Sequence, residues 1–94
     1  MHSPEWFEKR DINAYLASIG AFVVKPVTYG QGKSGAPDLV CCYDGKFIAI
    51  EVKRPGKSAT AIQERRMDEV RKAGGTALCG TAEKVIMELM VLFR

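Results

Sequence analysis

Pro37-Asp38-Leu39-Val40-Cys41-Cys42-Tyr43-Asp44-Gly45-Lys46-Phe47-Ile48-Ala49-Ile50-Glu51-Val52-Lys53 is the stretch that decides how this chain folds. Asp-Gly is a favoured two-residue hairpin turn, and here it stands between two apolar runs of strand character. If Asp44-Gly45 closes the hairpin, Tyr43 lies opposite Lys46, and counting outward sets Asp38 opposite Glu51. Side chains alternate along a strand, so Glu51 and Lys53 share a face, and cross-strand pairing brings Asp38 onto it. Directly opposed residues have Cβ atoms about 5 Å apart, and like charges so placed destabilise a sheet. A divalent cation is the simplest group to offset that repulsion. Both strands are apolar on both faces, which predicts central strands covered by helices on two sides.

On the N-terminal side, Ser3-Pro4 marks a helix start, with Ser as the cap, Pro in the first turn and Glu5 near the positive end of the dipole. Phe7, Ile12, Tyr15, Leu16 and Ile19 recur at helical spacing until Gly20. Ala21–Val27 reads as a first strand, and Gly30–Ala36 is a glycine-rich loop that leaves the acids accessible. On the C-terminal side, Thr60 and Gln63 form a capping box. The helix they open turns Ile62, Met67 and Val70 inward and stops at Gly74-Gly75. Thr76–Cys79 is a short strand, and a last helix begins near Ala82. The order αβββαβα describes an α/β domain with a mixed central sheet flanked by helices. In the last helix, Val85, Ile86, Met87, Leu89, Met90, Val91, Leu92 and Phe93 leave only a narrow polar stripe at Lys84 and Glu88. An arc that wide serves either the core of a small domain or self-association.

At 94 residues the chain is expected to be one domain over 1–94, large enough to bury a core without staples. With 47% apolar and 27% charged residues it has the composition of a globular protein. The net charge of +3 permits an anionic partner without demanding one, and its distribution says more. Lys53, Arg54 and Lys57 follow the acid pair closely and Lys33 precedes it. That arrangement suits a phosphate substrate attracted to a site that also holds a metal. Cys41, Cys42 and Cys79 have no zinc spacing and form no even disulfide set, so they read as reduced core residues of a cytoplasmic protein. No signal-peptide core is present, and no apolar run reaches the roughly 18 residues of a membrane span. A soluble, intracellular protein without a membrane partner is expected.

Pro37-Asp38 followed by Glu51-Val52-Lys53 matches the PD-(D/E)xK pattern of metal-dependent nucleases. Phosphodiester hydrolysis uses a hard cation held by oxygen ligands, which carboxylates supply. Such a cation polarises the phosphate and lowers the pKa of a water. A fixed ammonium such as Lys53 orients that water or stabilises the charge that builds on the phosphate oxygens. Taken singly, Glu51 and Lys53 could be an ordinary ion pair at a hairpin end. The turn register, the shared face and the open loop together favour the metal site.

The similarity extends further. Gly35-Ala36-Pro37-Asp38-Leu39, Gly45–Lys53, Pro55-Gly56-Lys57, and Thr60 with Gln63 at the next helix together resemble the virus-type replication-repair nuclease (VRR-NUC) domain, over nearly the whole chain. The resemblance implies a stand-alone, restriction-endonuclease-like domain acting as an endonuclease with Mg²⁺ or Mn²⁺. Asp38, Glu51 and the Val52 carbonyl would be ligands, Lys53 the catalytic lysine and Gln63 an accessory residue. The capping box alone also accounts for Gln63. The family places a further glutamate on the first helix; Glu8 fits best, with Glu5 and Asp11 as rivals. Stand-alone members are similar to Holliday junction resolvases, which suggests a homodimer cutting branched DNA. Lys33, Arg54, Lys57 and Tyr29 are the candidate DNA contacts.

Gly32-Lys33-Ser34 looks like the end of a nucleotide-binding P-loop. That pattern requires glycine where this chain has Val27, and a helix rather than Pro37 and a strand afterwards. No nucleotide cofactor is expected. His2 falls in a terminus with no expected ligand role. Trp6 and Tyr29 could stack on bases or simply pack; Trp6, near a helix start, is read as packing. The rival function is a non-catalytic DNA-binding module that keeps the nuclease fold, although all three residues Asp38, Glu51 and Lys53 are present.

Overall fold

Asp44 and Gly45 both have positive φ, 52° and 74°, the backbone that a two-residue turn joining right-twisted strands requires. In the computed structural model, which describes residues 1–27 and 35–94, this turn joins β2 (Leu39–Tyr43) to β3 (Lys46–Val52). Tyr43 pairs with Lys46, and the antiparallel ladder runs out to Leu39 opposite Ile50. β1 (Phe22–Val24) lies antiparallel on the outer edge of β2, while β4 (Thr76–Gly80) lies parallel on the far side of β3. The sheet order is β1-β2-β3-β4. A parallel pair needs a crossover, and α2 (Ala61–Lys72) supplies it between β3 and β4. With α1 (Pro4–Ser18) in front and α3 (Ala82–Leu92) behind, the order is αβββαβα.

The helix ends follow the local chemistry. Ser3 Oγ accepts the Trp6 N–H at 3.2 Å with Pro4 in the first turn of α1. Thr81 caps α3 through the Lys84 N–H, and Thr60 and Gln63 form a reciprocal capping box on α2. Apolar residues at alternate strand positions, Leu39, Cys41, Ile48, Ile50, Val52 and Leu78, meet Ile12 and Leu16 of α1 and Val85 and Leu89 of α3 in one core. Fully burying side chains of this kind contributes roughly 1.5–3 kcal/mol each, which is what holds α1 and α3 to that face. α2 covers the opposite face over β3 and β4, burying Met67.

Several expectations change. β3 is buried on both faces from Ile48 to Val52, but α2 does not reach across to β2, whose second face carries the exposed Cys42. The cysteines are free but not all in the core: Cys41 is buried, Cys42 exposed and Cys79 half-buried. The first strand is shorter than Ala21–Val27, because Pro26 has no N–H to donate to a ladder. The apolar arc of α3 divides as well. Val85 and Leu89 enter the core, whereas Met87, Met90 and Val91 remain exposed.

Candidate active site

Glu51 lies near the C-terminal end of β3, on the face turned to α2. Its carboxyl is the one polar side chain among the buried described residues, at 4% exposure. Asp38 precedes β2 by one residue, and the hairpin register continued from Leu39–Ile50 sets it opposite Glu51. The Lys53 N–H turns toward β4 and donates to the Gly80 carbonyl at 2.9 Å. The preceding N–H, that of Val52, therefore faces β2, where the strand has ended. Asp38 Oδ2 accepts it at 2.8 Å. The aspartate thus closes the ladder with its side chain, and its position is fixed by backbone geometry.

Gln63 joins the site to the helix cap. Its Oε1 accepts from the Thr60 N–H at 2.9 Å and from Lys53 Nζ at 2.8 Å, while its Nε2 donates to Glu51 Oε1 at 2.9 Å. One side chain thus makes both the capping bond and the bonds to Glu51 and Lys53. Lys53 Nζ stands 3.9 Å from Glu51 Oε1. Gly35, at φ 77°, lets the loop pass against the first turn of α2. A Cβ there would meet Ile62 Cγ1 at 3.0 Å and the Ile62 carbonyl oxygen at 3.1 Å.

Burial is the main reason the Glu51 carboxyl is pushed up to about 8; hydrogen bonding with Asp38 and the Asp38 charge add to it, Lys53 opposes it, and Glu5 adds a little. Near neutral pH the opposed acids therefore relieve their repulsion by keeping a proton on Glu51. The expected repulsion is present in the fold, and a proton offsets it when no cation does.

On α1 the acids separate by role. Glu8, favoured from sequence as the additional ligand, accepts the backbone N–H of Ala82 at 2.8 Å and so serves the N-terminus of α3. An anionic acceptor is favoured there by the helix dipole. Asp11 pairs with Arg10 at 3.0 Å on the exposed side. Glu5 is the α1 acid whose charge reaches Glu51, and Lys9 ties it to the site, with Nζ 3.6 Å from Glu5 and 3.5 Å from Asp38. Lys9 is a site residue that sequence reasoning missed; its signal was a lysine one turn after Glu5. Arg54 and Lys57 are exposed in the turn after β3, where the Lys57 N–H donates to the Arg54 carbonyl at 3.2 Å. Tyr29 and Lys33 lie outside the described residues. Trp6, expected to pack, does so at the surface, 38% exposed and stacked on the His2 ring.

Among the described residues no three His, Cys, Asp or Glu side chains converge as a ready metal cage. The donors that do converge, Asp38 and Glu51 with the adjoining Val52 backbone, are hard oxygens of the kind Mg²⁺ and Mn²⁺ take. An acid pair whose buried member, Glu51, is pushed toward its protonated form suits a cation that could replace that proton. No helix in the described residues is long and apolar enough to cross a membrane.

A search of curated proteins finds no match. Among solved structures, one described as a VRR_NUC domain superposes with a TM-score of 0.82 at 23% identity, covering 99% of this chain and 100% of the other. That likeness is one of fold. A family model described as the VRR-NUC domain matches residues 5–82, a span that takes in Asp38, Glu51, Lys53 and the Gln63 cap. The chain belongs to the VRR-NUC domain family, a nuclease-type, DNA-processing fold.

Proposed function

We propose that this protein is a Mg²⁺- or Mn²⁺-dependent endodeoxyribonuclease that hydrolyses phosphodiester bonds in branched DNA. The observation that carries the reading is the pairing of half-buried Asp38 with buried Glu51, held by the Val52 N–H and by Gln63 beside Lys53. Asp38, Glu51 and the Val52 carbonyl would hold the cation, with Glu5, joined to Asp38 through Lys9, as the acid added from α1. A divalent cation bound there supplies a Lewis acid for the phosphate and a water of lowered pKa. Lys53, its ammonium held by Gln63 Oε1, is directed at the edge of the site. There it stabilises negative charge on the phosphate as the bond breaks. Gln63 keeps Glu51 and Lys53 in fixed relation, so neither has to reorganise during the reaction. Arg54 and Lys57, exposed beside the pair, attract the flanking DNA backbone.

A homodimer places two such sites on two strands. The exposed Met87, Met90 and Val91 on α3 support it, since an apolar face of that kind favours self-association. The domain has little surface for reading sequence, which favours recognition of DNA shape. The test is cleavage of labelled four-way junction, flap and linear duplex DNA with Mg²⁺ or Mn²⁺, beside Glu51→Ala and Lys53→Ala. Cutting of the branched substrates that both variants and a chelator abolish is the expected result. Metal-independent binding without any cutting would replace this reading with the DNA-binding module.

A further inference from the structure

Around the first turns of α1 lies a surface cluster that neither the core nor the acid pair uses. The His2 ring stacks on Trp6 with centroids 3.6 Å apart and planes at 8°. Phe7 meets Trp6 edge-on at 5.1 Å. The Arg10 guanidinium lies 5.8 Å from the Trp6 centroid and 5.1 Å from that of Phe7. A pairing with Asp11 at 3.0 Å holds the guanidinium in place. Trp6 and Phe7 remain 38% and 41% exposed. Packing does not account for this exposure, because α1 is anchored through Ile12 and Leu16, which are fully buried.

The location gives the cluster its meaning. Trp6 follows Glu5, whose charge reaches Glu51, and Lys9, one turn after Trp6, lies 3.5 Å from Asp38. Residues three apart on a helix have Cβ atoms about 5–6 Å apart, so Trp6 neighbours the lysine that reaches Asp38. Exposed rings joined to an arginine plane, beside a backbone-binding site, are what single-stranded nucleic acid uses. Each base offers a π face, and stacking tolerates any sequence. Base pairs inside a duplex are stacked on each other and offer no such face.

Resting on the nuclease reading above, we propose that His2, Trp6, Phe7 and Arg10 form a stacking platform for an unpaired base of the DNA strand held at Asp38 and Glu51. The preferred substrate then carries a single-stranded segment beside the cut, as at a flap or an opened junction.

Trp6 is the only tryptophan in the chain, so emission excited selectively in the tryptophan band, clear of the three tyrosines, reports on the platform. The full chain, in chelator to prevent cutting, is titrated with fluorescently labelled oligo-dT, an abasic strand of equal length and a blunt duplex. Binding is followed separately by anisotropy. Oligo-dT should quench Trp6, and the abasic strand should not. Trp6→Ala should weaken oligo-dT binding about tenfold while leaving duplex binding unchanged, and Trp6→Phe should restore most of the loss. The platform is overturned if emission is unmoved at saturation, if the abasic strand quenches equally, or if Trp6→Ala weakens strand and duplex alike. Failure of oligo-dT to bind at all overturns it too, and metal-dependent cutting of duplex DNA would then still uphold the nuclease reading.

Discussion

Replacing Glu51 with Gln should make the metal-free protein more stable at alkaline pH, although it removes a residue at the centre of the site. The Glu51 carboxyl is raised to about 8, chiefly by burial and then by Asp38, from an unfolded value near 4.5. Between those values the folded chain holds a proton that the unfolded chain has released. Stability therefore falls as pH rises through the window and levels off above about 8. At about 1.4 kcal/mol for each pH unit of displacement, the loss is on the order of several kcal/mol. That is a large part of the roughly 5–15 kcal/mol that stabilises a typical domain. For a domain of this size each kcal/mol moves the melting temperature by roughly 4–8 °C, so wild type should lose more than about 10 °C between about pH 5 and pH 9. Gln is neutral and nearly the same shape. Its carbonyl can accept the Gln63 Nε2 bond made at 2.9 Å to Glu51, and its amide can donate toward Asp38. Thermal melts of wild type and Glu51→Gln in chelator across that range are the assay. The variant should have the flatter profile, with the two curves crossing as pH rises. Parallel profiles would refute the claim that the proton sits on Glu51. Adding Mn²⁺ at about pH 8 should stabilise wild type and leave the Glu51→Gln variant nearly unmoved.

Gln63→Ala removes the partner of Lys53 Nζ, of the Thr60 N–H and of Glu51 at once. With charge-assisted bonds worth about 1.5–3 kcal/mol, metal-dependent cleavage should fall by about 10- to 100-fold in single-turnover assays; wild-type rates would show that Gln63 acts only as a cap. Gly35→Ala forces a Cβ to 3.0 Å from Ile62 Cγ1 at a φ of 77°. It should cost about 1–3 kcal/mol in urea denaturation. Glu8→Ala should lower stability by about 1 kcal/mol through the lost bond to the Ala82 N–H, with Mn²⁺ affinity by calorimetry unchanged. Glu5→Gln should weaken that affinity instead, and the opposite pairing of effects would assign the ligand role to Glu8.

Local rules carried most of the architecture because they act over a few residues. The Asp44-Gly45 turn set the hairpin register, and a period of two then determined which acids oppose each other. Ser3, Thr60 and Thr81 mark helix starts because unsatisfied N–H groups need a nearby oxygen. The same logic made Gln63 legible as part of a capping box, but not as a bridge between Lys53 and Glu51, since that bridge depends on where α2 lands on the sheet.

What the sequence by itself determined was the order of elements, the hairpin register and the Asp38–Glu51–Lys53 grouping, all read from spacing along one segment. Tertiary structure decided which face each helix covers, and with it which partners the side chains of α1 and α2 meet. Glu5, Glu8 and Asp11 lie within two turns of one helix. Only the packing of α1 against the sheet and beside α3 brings Glu8 to the Ala82 N–H and sets Glu5, through Lys9, on the Asp38 side. Likewise Cys42 and Trp6 are apolar enough to be core residues by composition. They are exposed because α2 stops short of β2 and because Ile12 and Leu16 already fill the buried stripe of α1. Spacing sets which residues can be neighbours along an element, whereas burial and charge depend on what another element brings against them.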